Sequence, residues 1–150
     1  GHLARTEFHE YELSRDFKRA QIRNHRSKIE GIFNIRLNDG AKVRMTVFVV
    51  TPKRAAQSIK KQMRQDMHVF LEEKLSEMSF PAFVDELLNG TIRSELYPVA
   101  EDNFSLKVLD VAKVKVVRLP EGSQPIETEE KVTEEIKPEE IEPEETLVEA

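Results

Sequence analysis

The side chains in this chain that could do chemistry are mostly cations. Its four histidines, His2, His9, His25 and His68, have no metal-ligand spacing such as H-E-x-x-H, and no cysteine is present for a zinc site or a disulfide framework. The phosphate loops G-x-x-x-x-G-K and G-x-G-x-x-G and the nucleophile elbow G-x-S-x-G are absent. Five glycines scattered over 150 residues do not build a phosphate cradle of the usual kind. Asp66 and His68, two apart on a helical stretch, point to different sides, and Asp85-Glu86 reads as a solvated helix face. Neither an enzyme nor a cofactor or metal is expected.

The cations are patterned. Ser14 is a good N-cap with Asp16 in the first turn, and a helix is predicted from Arg15 to His25. At about 100° per residue, Leu13, Phe17, Ala20 and Asn24 gather on one side and Arg15, Lys18, Arg19, Arg23 and Arg26 on the other. One face should pack while the other presents cations. Thr51-Pro52 reads as the N-cap and first residue of a long helix, which places Lys53 and Arg54 in its first turn. Cations there oppose the macrodipole at roughly 0.3 to 1 kcal/mol each. Lys60, Lys61 and Arg64 continue that basic half, while Glu72, Glu73 and Glu77 occupy the later half. An arrangement opposite to dipole preference points to an anionic ligand, with phosphates the obvious class. No aromatic platform accompanies the cations: Trp is absent, and Phe33, Phe70, Phe80 and Phe83 sit at core spacing. Contact with folded RNA through its phosphate backbone is therefore favoured over base stacking.

The net charge of −5 averages two unlike parts. Residues 120–150 hold twelve Glu and two Lys, a net of −10, whereas residues 1–119 hold 21 cations and 16 acids, a net of +5. Residues 1–65 alone hold 15 cations and six acids, a net of +9. A basic domain over residues 6–119 is thus followed by a Glu/Pro-rich acidic tail over 120–150, expected to be disordered because it cannot bury enough apolar surface to offset its ordering entropy. Gly1-His2 resembles a tag remnant, with residues 1–5 unstructured. No apolar run approaches the roughly 18 residues of a membrane span, and no signal peptide is evident, so no membrane is expected and the default compartment is the cytoplasm.

The elements that must position the cations follow from periodicity. Alternation sets Ile29, Gly31, Phe33, Ile35 and Leu37 on one face of a first strand, Lys28 to Asn38, and Val43, Met45, Val47 and Val49 on one face of a second, Ala41 to Val50. A two-residue Asp-Gly loop would set Ile35 against Arg44. A three-residue Asn38-Asp39-Gly40 loop pairs Ile35 with Val43 and Phe33 with Met45, so a type I turn with a G1 bulge and a left-handed Gly40 is predicted. Ala55, Ala56, Ile59, Met63, Met67, Phe70, Leu71, Lys74, Leu75 and Met78 form the stripe of the long helix. Ser79 caps a shorter helix stopped at Asn89-Gly90, and Thr91 opens another that Pro98 should end or kink. Phe104 to Arg118 reads as a strand with a bulge near Asp110. The fold class is α+β: an antiparallel hairpin and a C-terminal strand packed with one long and several short helices.

Five motifs in order then carry a resemblance. The run FHEYELSRD (Phe8 to Asp16) is followed by KIEGIFNIRLNDG (Lys28 to Gly40), VVTPKRA (Val49 to Ala55), SFPAFVDELLNGTI (Ser79 to Ile92) and SELY (Ser94 to Tyr97). Together they resemble the small-subunit ribosomal protein S-three-a-e family of archaea and eukaryotes, also called e-S-one, from about Thr6 to Val117.

The resemblance implies a structural constituent of the small ribosomal subunit without a catalytic site, held by rRNA and neighbouring platform proteins near the messenger exit. By position, it maps RNA contact onto Arg15, Lys18, Arg19, Arg23, Arg26, Lys53, Arg54, Lys60, Lys61 and Arg64. Family members have further strands ahead of the first motif, so this chain is expected to be a fragment of a barrel-like sheet, and any self-association an artefact of an unpaired edge. Where relatives are basic after SELY, this chain has Glu101-Asp102, which argues against RNA contact there. The acidic tail maps to no family function. The rival expectation is a non-ribosomal protein-interaction module whose acidic tail recruits a basic partner.

Overall fold

Alternation from Ser27 to Thr51 closes into a hairpin in the computed structural model, which describes residues 1–120. Strands β2 (Ser27–Arg36) and β3 (Lys42–Thr51) pair with Phe33 opposite Met45 and Ile35 opposite Val43, the predicted register. Gly40 takes φ +82°, and its N–H donates to Leu37 O at 3.1 Å, closing the type I turn and bulge. β4 (Val108–Arg118) adds antiparallel to the other side of β3. Its bulge falls at Ala112, two residues from Asp110, between Val111 opposite Val47 and Lys113 opposite Thr46; a second irregularity leaves Val117 out of register.

A short strand, β1 (Glu10–Glu12), pairs with β4 and has no counterpart among the elements predicted from periodicity. Three residues with a half-buried Tyr11 between exposed glutamates are too few to read as alternation. The sheet order is β1-β4-β3-β2, four antiparallel strands instead of three, with the outer edge of β2 unpaired among the described residues.

Helix α1 (Arg15–Gln21) follows, with Phe17 N–H donating to Ser14 Oγ at 3.4 Å. It ends at Gln21, not His25, and buries none of its side chains; Phe17 is 38% exposed. Most helical stability comes from packing an apolar face, and without that face nothing prolongs α1.

The long helix α2 (Gln57–Ser76) starts five residues later than Thr51-Pro52 suggests. Thr51 is the buried last residue of β3, its hydroxyl occupied across the hairpin. Met63, Met67, Leu71 and Leu75 of α2 lie on the sheet face of Ile29, Phe33, Met45 and Val47, each side chain contributing about 1.5 to 3 kcal/mol by burial. Helices α3 (Phe80–Asn89) and α4 (Thr91–Glu101) complete this core with Phe83, Leu87, Ile92 and Leu96.

Ser79 precedes α3 but makes no capping bond. Asp39 of the hairpin turn supplies it instead, Oδ2 accepting from Phe80 N–H at 2.9 Å. Gly90, at φ +78°, ends α3 as predicted. Pro98 lies inside α4 without ending it. Buried Ile92, Leu96 and Ala100 clamp that helix to the core, while Ser94, whose carbonyl Pro98 leaves without an N–H partner, is exposed to water.

On the opposite face of the sheet, Phe48, Val50 and Ala112 form a small separate cluster. Leu13 N–H bonds to Ala112 O on the β4 side, and Ser27 begins β2 at the other edge, so residues 13–27 cross from one edge to the other. Phe48 and Val50 are fully buried there, with Val108 packed against them. No described helix is long and apolar enough to cross a membrane. The acidic tail expected from residue 121 onward lies outside the described residues.

Candidate nucleic-acid interface

A buried hydroxyl pair organises the first group of cations. Ser27 N–H donates to Thr51 Oγ1 at 3.2 Å, Thr51 Oγ1 donates to Lys53 O at 2.6 Å, and Ala55 N–H donates to Ser27 Oγ at 3.0 Å. This clasp sets Arg26-Ser27-Lys28 beside Lys53-Arg54-Ala55. Arg64 Nε donates to Glu30 O at 3.0 Å, on the unpaired edge of β2, so the basic half of α2 runs along that edge. Lys60 lies one turn before Arg64, with Lys61 beside it. Six of the predicted residues, Arg26, Lys53, Arg54, Lys60, Lys61 and Arg64, therefore share one end of the molecule, and Lys28 joins them.

The other predicted residues are set apart. Arg15, Lys18 and Arg19 stand on α1 beside β1, where Lys18 Nζ lies 3.7 Å from Glu12 Oε1. Arg23 belongs to the link between α1 and β2, so the single five-cation helix face does not form. Arg26 Nη1 donates to Gln21 O at 3.1 Å and closes the C-terminus of α1. Lys53 and Arg54 are exposed in the connector before α2, and the macrodipole argument does not apply to them. It survives for Lys60, at the end of a first turn that carries no acid.

Lys74, read as part of the apolar stripe, is an ion-pair hub. Its Nζ lies 3.0 Å from Glu86 Oε2 of α3 and also contacts Glu95 of α4. Burial pulls the Lys74 ammonium down, but its hydrogen bonds to Glu95 and Glu86 outweigh that and hold it above the usual lysine value. Between β4 and the outer strand β1, Lys113 Nζ bonds Glu10 Oε1 at 2.6 Å, which lowers Glu10 and raises Lys113.

Attention to helices misses the cations of the strands. Arg36, Lys42, Arg44, Lys115 and Arg118 are all exposed on the sheet. Their signal lies in the chain: the polar positions of both alternating runs and of β4 are basic near the hairpin turn.

The family model described as Ribosomal S3Ae matches residues 1–120. The chain belongs to the Ribosomal S3Ae family. Similar curated proteins bear the name small ribosomal subunit protein eS1. That of Desulfurococcus amylolyticus is 34% identical over 127 residues, 83% of this chain and 60% of the relative. That of Methanococcus vannielii is 32% identical over 139 residues, 87% and 63%. That of Saccharolobus solfataricus is 35% identical over 116 residues, 77% and 56%. The chain thus spans between 56% and 63% of the length of these relatives. In this member of the Ribosomal S3Ae family, the motifs lie on β1 and α1, on β2 and its turn, on β3 and the connector, on α3 and on α4.

Proposed function

We propose that the chain is a non-catalytic structural constituent of the small ribosomal subunit, holding rRNA through its phosphate backbone on the platform near the messenger exit, in cytoplasmic ribosomes and beside neighbouring platform proteins. Membership of the Ribosomal S3Ae family, with relatives named eS1, carries this reading. The Ser27–Thr51 clasp supports it by presenting Arg26, Lys53 and Arg54 together, with Lys60, Lys61 and Arg64 along the adjoining edge. Arg15, Lys18, Arg19 and Arg23 extend the contact along the first crossing segment. Guanidinium groups keep several donors after one N–H is spent, so Arg26 and Arg64 can still bind phosphate while bonded to carbonyls. Each phosphate neutralised releases counterions, which makes the affinity salt-dependent.

The test is binding of the full chain to protein-free small-subunit rRNA across a salt series. The double variants R19E/R23E and K53Q/R54Q should weaken binding and keep the wild-type circular dichroism. The slope of log affinity against log salt should flatten by about 0.7 to 0.9 for each phosphate no longer neutralised. Wild-type slopes in both variants would sink the assignment.

A further inference from the structure

We infer that the uncovered end of the sheet face away from α2 is a second RNA-backbone surface, formed by Arg36, Lys42, Arg44, Lys115 and Arg118. It rests on the proposed rRNA-binding role and extends that role to a face the clasp and α2 leave unused.

The face is divided. Where β4 begins, Phe48, Val50 and Ala112 are buried, with Val108 packed against them. Toward the hairpin turn the same face is open, and its exposed positions are Ile32, Asn34 and Arg36 of β2, Lys42 and Arg44 of β3, and Lys115, Val117 and Arg118 of β4. Register sets like charges directly opposite one another: Arg36 against Lys42, Lys42 against Arg118, and Arg44 against Lys115. Such cross-strand pairs destabilise a sheet, and surfaces that serve solubility intersperse both signs. Among the described residues no carboxylate forms an ion pair with any of the five. Glu10 stands across from Lys115 in register, yet its carboxylate is bonded to Lys113 at 2.6 Å.

A polyanion is what relieves this repulsion. Arg44 Nε donates to Asn34 Oδ1 at 3.0 Å, which fixes its guanidinium and leaves its outer nitrogens for a ligand. Beside it lies a recess of about 340 Å³ lined by Asn34, Arg36, Lys42, Val43, Arg44 and the exposed Val117. The open end carries no aromatic side chain, so the contact would run through phosphate and ribose and not through stacked bases.

The test compares the full-length variant R36Q/K42Q/R44Q with the wild type, using protein-free small-subunit rRNA across a salt series and thermal melting without RNA. The expected result is a salt slope flatter by about 2 to 3, from three cations removed at about 0.7 to 0.9 each, with a melting temperature unchanged or raised. A wild-type slope in a folded variant overturns the inference; if R19E/R23E and K53Q/R54Q flatten the slope in the same series, the proposed rRNA-binding role stands without it. Absence of rRNA binding by the wild type overturns both. Zero-length cross-links from Lys42 or Lys115 to glutamates of residues 121–150, persisting with rRNA bound, would assign the face to the chain's own acidic segment and overturn the inference as well.

Discussion

Gly31 is defined by its neighbour two positions along β2. A Cβ placed there would meet Phe33 Cζ at 2.5 Å. That ring is 4% exposed and lies 5.6 Å from the His68 ring, so it has little room to retreat. Gly31→Ala should therefore destabilise the domain by about 1 to 3 kcal/mol through overpacking, read as a lower urea midpoint at unchanged m-value. Alternation alone assigns Gly31 to the inward face; that it is glycine because an aromatic ring covers it depends on the rotamer of Phe33. The turn is the contrary case, since Asn38-Asp39-Gly40 specifies its own backbone within three residues. Even so, the bond from Asp39 to Phe80 N–H joins positions 41 apart in sequence, and no local pattern announces it.

At the scale of elements, Lys74 fastens α2 to α3 and α4 through Glu86 and Glu95. Its raised pKa means that the folded state binds this proton more tightly than the unfolded chain. The stabilisation is complete below the ordinary lysine value of 10.5 and is lost as pH rises through the higher folded value. Urea midpoints should fall across that alkaline range, and Lys74→Met should remove this component of the fall. At neutral pH the same substitution should cost about 1 to 3 kcal/mol, less than breaking a fully buried pair because Glu95 is half in water. Helix boundaries tell how far local signals reach. Thr51-Pro52 has the form of a helix start, but the Thr51 hydroxyl is taken by Ser27 across the hairpin, and α2 opens at Gln57. α1 has a cap and a periodic face but buries none of its side chains, and it stops after seven residues.

Among the described residues, cations gather in two regions apart from those on α1: one where the Ser27–Thr51 clasp meets the basic half of α2, the other on the sheet near the hairpin turn. If both hold rRNA, the full chain should sediment with the small subunit, and charge variants at either region should lower the salt concentration that releases it. Gradient fractions probed for the chain would show this, and a chain that stays at the top of the gradient even at low salt would contradict it. Periodicity, turn chemistry and charge counts were enough for the α+β class, the hairpin register, the core face of α2 and the excess of cations, because each is a property of residues close in sequence. Strand order, the addition of β1, the cap from Asp39 and the grouping of Lys53, Arg54 and Arg64 with β2 came only with the tertiary structure. They depend on which surfaces meet after long loops close, and contacts between residues tens of positions apart leave no period in the chain.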